Sequence, residues 1–290
     1  MNLHGNIPVI PTPFVNGKLD EKSFVNMIER TYHALDGYVV CGSTGEAPAL
    51  TTQERKAVTS IAAAQGLKEK CWVVGLGHTS LEEAVEIGSH AKEMGINTAL
   101  VPSPYYFPNS LDMVIDYVGS LAERTELEIV FYDNPVTTKT YFSFDDLQKL
   151  IRAVPSVKAI KMTDHNMDKI RKLKADTSVK VFCGDDIICF RSFEAGVDGN
   201  MIITPIVYPD AFKACWDAYR SGDRKRSFEF YCRHLLPFIH MFGPGDEIPV
   251  TKALFHHLGI FASAETRPPL QPSSPSRLAE AILGYEQGLL

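Results

Sequence analysis

Val157-Lys158-Ala159-Ile160-Lys161 is a short apolar run carrying two lysines. Read as a strand, it puts Val157, Ala159 and Lys161 on one face and Lys158 and Ile160 on the other, because side chains alternate. One face then carries small or branched apolar groups and finishes on an amine at the strand's C-terminal end. Lys158 opens the other face and reads as a solvated stem. Seven further runs of this kind occur, at residues 5–10, 37–40, 71–75, 98–102, 128–132, 180–184 and 199–203. A helix candidate follows each of them. Strands alternating with helices predict a parallel sheet, and eight strands is the number that closes a barrel. The expected fold is therefore α/β, a TIM (β/α)8 barrel with a C-terminal helical extension.

Helix starts agree with this register. Thr51 with Glu54, Ser80 with Glu83 and Ser143 with Asp146 each place a capping residue three positions before an acid. The segments that follow look amphipathic, with Ala57, Ile61 and Ala64 marking one apolar face and Leu147, Leu150 and Ile151 another. After Ser221 the strand-like runs stop. From Asp223 to Leu290 the chain reads as helical, broken at Gly243-Pro244-Gly245 and around Pro268, Pro269, Pro272 and Pro275. The expected division is a catalytic barrel over residues 1–222 and a helical segment over 223–290 packed on it.

Composition narrows the class. The chain has 290 residues, 45% of them hydrophobic and 22% charged, with a formal net charge of -6. That suits a soluble globular protein with a large core, and a single barrel typically takes ~250 residues. The mild acidity and the absence of a Lys/Arg block argue against nucleic-acid binding. The longest apolar runs fall far short of the ~20 residues that span a bilayer. The N-terminal residues lack the basic and apolar regions of a signal peptide. Cys41, Cys71, Cys183, Cys189, Cys215 and Cys232 are scattered with no CxxC pair. They read as buried thiols of a reducing compartment, so a cytoplasmic protein is expected.

In such barrels the chemistry sits at the C-terminal ends of the strands and on the loops that follow. Those positions gather Gly42-Ser43-Thr44-Gly45-Glu46, Pro104-Tyr105-Tyr106, Tyr132-Asp133-Asn134-Pro135, Lys161, Gly184-Asp185-Asp186 and Ile203. Lys161, held at a strand end, would be partly desolvated, which favours the neutral amine needed for attack on a carbonyl. A lysine that leaves the strand end for water fits the same spacing. Tyr132 could move protons at the reacting centre, or simply be a buried tyrosine with a satisfied hydroxyl. Residues 42–46 offer two hydroxyls and several amides between glycines, which can hold a carboxylate or merely turn a strand into a helix. Tyr105-Tyr106 fits an interface as well as a site. Gly75-Leu76-Gly77 lacks the third glycine of a dinucleotide fingerprint, since position 80 is Ser80. The nine histidines show no metal-ligand spacing, so neither a metal nor a cofactor is expected.

Taken together, these residues resemble the dihydrodipicolinate synthase and N-acetylneuraminate lyase superfamily, class I pyruvate-dependent lyases and aldolases built on a TIM barrel. The resemblance spans nearly the whole chain, including Ile248-Pro249-Val250 and Arg267-Pro268-Pro269-Leu270 in the tail. It implies that Lys161 forms a Schiff base with the keto carbon of pyruvate or another 2-oxo acid. It implies that Tyr132 shuttles protons, with Ser43 and Tyr106 completing the relay. The family's counterpart of Tyr106 comes from a partner subunit, so the resemblance implies a homo-oligomer, a dimer or tetramer. Thr44 and the Ser43/Thr44 amides would hold the carboxylate, and Ile203 would contact substrate through its backbone. Gly184, Asp186 and Thr137 fall at further substrate-binding positions.

Departures from the family pattern bear on the subtype. Synthases usually carry an arginine where this chain has Thr137, and that arginine grips the carboxylate of aspartate semialdehyde. A threonine lacks the bidentate fork, at a cost of ~1.5–3 kcal/mol in acceptor binding. Sialic acid lyases usually carry an Asp-Glu pair after the strand-seven glycine, where this chain has Asp185-Asp186-Ile187 and no glutamate. The leading expectation is a lyase or aldolase acting on pyruvate or a hydroxylated 2-oxo acid, such as a 2-keto-3-deoxy sugar acid. Dihydrodipicolinate synthase is the alternative within the family, and a non-catalytic 2-oxo acid binding protein the alternative outside enzymes.

Overall fold

The computed structural model describes residues 3–66, 69–242 and 245–289. Its strands are β1 (Gly5–Asn6), β2 (Phe14–Val15), β3 (Lys18–Leu19), β4 (Gly37–Val40), β5 (Cys71–Gly75), β6 (Thr98–Pro102), β7 (Glu128–Asp133), β8 (Val157–Met162), β9 (Lys180–Cys183) and β10 (Gly199–Asn200). Eight of them form one parallel sheet ordered β1-β10-β9-β8-β7-β6-β5-β4. Backbone bonds join its two ends, from Asp36 N to Asn6 O (2.9 Å), Val39 N to Pro8 O (2.8 Å) and Ile10 N to Val39 O (3.0 Å). The barrel is closed. Strands β2 and β3 form a separate antiparallel hairpin in the first strand-to-helix connection. All eight expected runs are barrel strands. The first and last have regular ladders of only two residues, although single backbone bonds continue beyond them, from Ile7 N to Asn200 O (2.9 Å), Val9 N to Ile202 O (3.2 Å) and Met201 N to Cys183 O (2.8 Å).

Two hydrophobic layers follow from strand alternation. Val9, Val39, Val73, Leu100, Val130, Ala159, Phe182 and Met201 fill the barrel interior, while Trp72, Val74, Phe131, Ile160 and Met162 pack outward against the helices. Val157 departs from the expected face. Ile129 pairs with Val157 but Val130 pairs with Ala159, so one extra residue is accommodated at the start of β8. Such a bulge shifts the alternation by one, and Val157 joins the outer layer while Ala159 and Lys161 keep the inner phase. Lys158 is exposed, as expected.

The capping pattern holds at Thr51 and Ser143, each with a complete reciprocal box. Ser80 also caps its helix, but the Glu83 carboxylate accepts from the Thr52 hydroxyl on the neighbouring helix instead of closing a box. The expected apolar face of helix Thr52–Ala64 holds only at Ile61, which is half-buried against the core. Ala57 and Ala64 are exposed, and the buried side is Arg55, Val58, Thr59 and Ala62. Arg55 donates to Ala47 O (2.6 Å from Nη2) and Gly77 O (2.9 Å from Nη1), so this face is held by a guanidinium that hydrophobic periodicity cannot detect. Leu147 and Leu150 are buried as expected.

Beyond residue 222 the chain forms helices Arg224–Phe230, Leu236–Ile239, Glu247–His257 and Pro275–Gly288, with a π-helical turn at Tyr231–Leu235. Of the expected break at 243–245, Gly243 and Pro244 lie outside the described residues. The extension is anchored by polar contacts. Arg30 reaches Ile206 O, Val207 O and Tyr285 OH at 3.0–3.1 Å, and Tyr208 OH donates to Gly284 O at 3.0 Å. All six thiols are free, and burial pushes Cys41, Cys71 and Cys183 up to about 12. At neutral pH these three are protonated and poor nucleophiles.

Candidate active site

Tyr132 and Lys161 are ladder partners on β7 and β8, so the parallel register sets their side chains side by side on the inner face. Lys161 is 4% exposed, and its Nζ lies 4.1 Å from the centroid of the Tyr132 ring. The amine does not snorkel into water. The Tyr132 hydroxyl accepts from Asn134 Nδ2 at 3.1 Å, and Asn134 Oδ1 in turn caps the short helix Pro135–Thr138. Asn134 therefore orients the phenol, a role that the Asn-Pro signature after a strand could have suggested.

Space for the lysine stem comes from the residue just after β9. A Cβ on Gly184 would lie 2.8 Å from Met162 O and 2.9 Å from Lys161 Cε. Gly184 is thus a close-approach glycine, and its contribution to the site is the room it leaves. Gly184→Ala is expected to displace the lysine tip or the β8 backbone. A shift of about 1 Å can cost ~100-fold in rate, with overpacking adding ~1–3 kcal/mol of destabilisation. Steady-state kcat and a thermal melt of the variant separate the two effects, and unchanged values in both would refute the steric argument.

A cavity of about 540 Å³ opens over Lys161, bordered by Ser43, Thr44, Tyr132, Gly184 and Ile203. Thr137 lies at its edge and also borders a second, mainly apolar cavity of about 380 Å³, which shares Ser43 and Tyr132 with the first. In loop 42–46 the positive backbone angles fall on Cys41 (φ 54°) and Glu46 (φ 58°) and not on the glycines. Gly42 is needed for proximity instead, since a Cβ there would meet Val9 Cγ1 at 2.5 Å.

Asp186 and Ile203 are brought together differently from the expectation. The Asp186 carboxylate accepts from Ile203 N (3.2 Å), Thr204 N (2.8 Å) and the Thr204 hydroxyl, which commits it to the turn after β10. Burial raises its pKa, against the hydrogen bonds from Thr204 that lower it. Ile203 O accepts from Ile206 N at 3.0 Å, so both backbone groups of Ile203 have partners. Asp185 has one oxygen on Ile187 N (2.9 Å) and the other on His165 Nε2 (2.8 Å). Tyr106 stands apart. It is 79% exposed at φ 86°, edge-on to Phe107 at 4.9 Å, and lines neither cavity of its own chain.

Three features escaped the sequence reading. Glu46, at the end of the hydroxyl loop, is buried against Lys252 of helix Glu247–His257, with Oε1 2.5 Å from Nζ. Lys169 is buried between Asp133 and Asp164. Thr163 borders the Lys161 cavity, and its hydroxyl is buried without a hydrogen-bond partner among the described residues. Single charged residues inside apolar periodicity carry no signal of their own, and only pairing across 206 residues would have revealed the first.

A model of the dihydrodipicolinate synthetase family matches residues 2–281. The chain belongs to that family. It is 31% identical over 288 residues to the 4-hydroxy-tetrahydrodipicolinate synthase of Hydrogenobaculum sp. (strain Y04AAS1), covering 98% of this chain and 99% of the relative. The dihydrodipicolinate synthase of Aquifex aeolicus superposes with a TM-score of 0.91 at 30% identity, covering 99% of each chain. YagE of E. coli K12, a prophage protein of the dihydrodipicolinic acid synthase family solved in complex with pyruvate, superposes with a TM-score of 0.92 at 25% identity, covering 99% of each. Dihydrodipicolinate synthetase family membership accounts for both the barrel and its helical extension.

Proposed function

We propose that this protein is a Schiff-base lyase or aldolase that needs no metal and acts on pyruvate or a hydroxylated 2-oxo acid through Lys161. The observation that carries the reading is a buried amine 4.1 Å from a phenol ring on neighbouring strands, at the floor of a cavity. The neutral amine attacks the keto carbon, a C–N bond forms, and the carbonyl oxygen leaves as water. The resulting iminium withdraws electrons, so the adjacent carbon loses a proton or a C–C bond breaks there. Tyr132, held by Asn134, is placed to carry protons to and from that oxygen. Ser43 and Thr44 border the cavity where the 2-oxo acid carboxylate would lie.

The charge of the cavity favours a neutral hydroxylated partner over an anionic one. Among the described residues that line it, Lys161 is the only base, while Asp185, Asp186 and Glu247 are acidic. Thr137 supplies no cation. A second reading, 4-hydroxy-tetrahydrodipicolinate synthase, is favoured by the name of the 31% identical relative. Borohydride reduction with pyruvate, read by intact-protein mass, tests the imine. Turnover of pyruvate with aspartate semialdehyde against short hydroxyaldehydes then separates the two readings. No adduct with any 2-oxo acid would refute both.

Tyr106 supports assembly. Exposed at φ 86° beside an exposed Phe107, it suits insertion into a second copy, and the apolar cavity floored by Ser43 and Tyr132 is a fitting socket. On this reading the protein is a cytoplasmic homo-oligomer, dimer or tetramer, whose proton relay crosses the interface. Mixing Lys161→Ala chains with Tyr106→Phe chains is then expected to restore about a quarter to a half of wild-type activity from two impaired parents, because hybrid pairs regain one intact site. No gain on mixing would place Tyr106 outside the relay.

A further inference from the structure

The ladder that pairs Tyr132 with Lys161 ends almost at once. Asp133 pairs with Met162, Thr163 N donates to Asp133 O at 3.0 Å, and the two chains then part. Into that fork comes Lys169, from the first turn of helix Met167–Asp176. It is 5% exposed, and its Nζ meets Asp133 Oδ2 at 2.7 Å, Asp164 Oδ2 at 2.6 Å and Phe142 O at 2.9 Å. An ammonium has three protons, and here each has an acceptor. Asp133 directly follows Tyr132 and is fully buried; Asp164 lies three residues after Lys161.

Stability alone is a weak reason for such an arrangement. Burying charges is costly, and apolar replacements of whole buried pairs are often neutral or better. Asp133 Oδ1 is also buried without a partner among the described residues, a further cost the fold accepts here. Burial raises the Asp133 pKa, and the Lys169 ammonium works against that shift. What the arrangement uniquely does is tie the two strand ends that carry the phenol and the amine, just where the ladder stops tying them.

We infer that Lys169 is a positioning residue for the reaction, an ionic staple that sets the spacing of Tyr132 and Lys161 through Asp133 and Asp164. The inference rests on imine formation at Lys161. The Asp164 side is braced further, since Asp164 Oδ1 accepts from Asn166 N (3.1 Å) and its neighbour His165 is bound to Asp185, which borders the cavity. A displacement of the two reacting groups by a fraction of their separation slows the covalent step while leaving the carboxylate loop at residues 42–46 untouched.

The test compares wild type, Lys169→Met, Lys169→Arg and Asp164→Asn by borohydride trapping of the pyruvate imine and by steady-state kinetics, below each variant's melting transition. In Lys169→Met the trapping rate at saturating pyruvate and kcat are expected to fall at least tenfold, with the pyruvate KM changed less than threefold. Lys169→Arg, which keeps a cation on both carboxylates, is expected to recover most of that loss. A folded Lys169→Met with wild-type kcat, or a loss that Lys169→Arg fails to repair, overturns the inference. If Lys169→Met does not accumulate folded, Asp164→Asn decides. It removes one arm of the staple, and a severalfold drop in kcat at unchanged KM is expected; full kcat overturns the inference. Absence of an adduct in wild type would instead refute the imine reading itself, which keeps the two failures distinct.

Discussion

Lys161→Ala is expected to abolish the borohydride-trapped pyruvate adduct and to lower turnover by at least about 10⁴-fold, the scale on which loss of a covalent nucleophile falls. Among the described residues the side chain has no carboxylate partner, and it touches the Tyr132 ring. Its removal therefore leaves no buried counter-charge, in contrast to Lys169 or Lys252. Stability is expected to change little, since deleting an unpaired buried amine removes a desolvation cost along with some packing. The measurement is intact mass after reduction, beside a thermal melt and a turnover assay. A folded alanine variant that kept its adduct would move the chemistry to another amine. One that kept turnover would dismiss covalent catalysis.

The second large effect is expected far from the amine. Lys252→Met should destabilise the fold by about 3–5 kcal/mol, the cost of leaving a buried carboxylate without its partner. Glu46 and Lys252 are almost wholly inaccessible, and the carboxylate also accepts from Arg267 N at 2.6 Å. Lys252 Nζ donates to Glu265 O at 2.7 Å and lies 4.3 Å from the ring centroid of Phe14 on β2. Burial lowers the Lys252 pKa and Glu46 pulls it back up, which is the signature of a charge kept only by its partner. A fall of roughly 10 °C in Tm is expected for a chain of this size. The exposed pair Lys56–Glu86 is the control, where Lys56→Met should cost under ~1 kcal/mol. Equal shifts in both variants would show that burial does not set the price. Glu46→Gln with Lys252→Met should recover part of the loss, because both charges then leave together.

Local pattern carried most of the architecture. Strand alternation, cap spacing and the count of runs are short-range signals, and each of the eight runs became a barrel strand. Lys161 and Tyr132 were legible for the same reason, since a strand-end position and a neighbouring strand define their proximity without knowledge of any contact. What the sequence concealed was pairing. The face of helix Thr52–Ala64 was misread because Arg55 occupies its buried side, satisfied by carbonyls from two other loops. Val157 changed layer because an extra residue in β8 cannot be seen before its partner strand is known. Asp186 had the right place, but its oxygens go to Ile203 and Thr204, a fact of the turn's three-dimensional path. Lys169 and Lys252 look on paper like any solvated lysine. Burial is a property of the fold and not of the residue.

The Glu46–Lys252 pair also orders events in time. Its members are 206 residues apart, so they cannot meet on a ribosome until nearly nine-tenths of the chain has been synthesised. At ~5–20 residues per second, the hydroxyl loop spends roughly ten seconds or more with its terminal carboxylate lacking the ammonium that later covers it. Strands β4 to β9 can pair in turn during that interval, because each lies beside the next in sequence. The loop that would receive the substrate's carboxylate is thus among the first segments made and among the last to be secured.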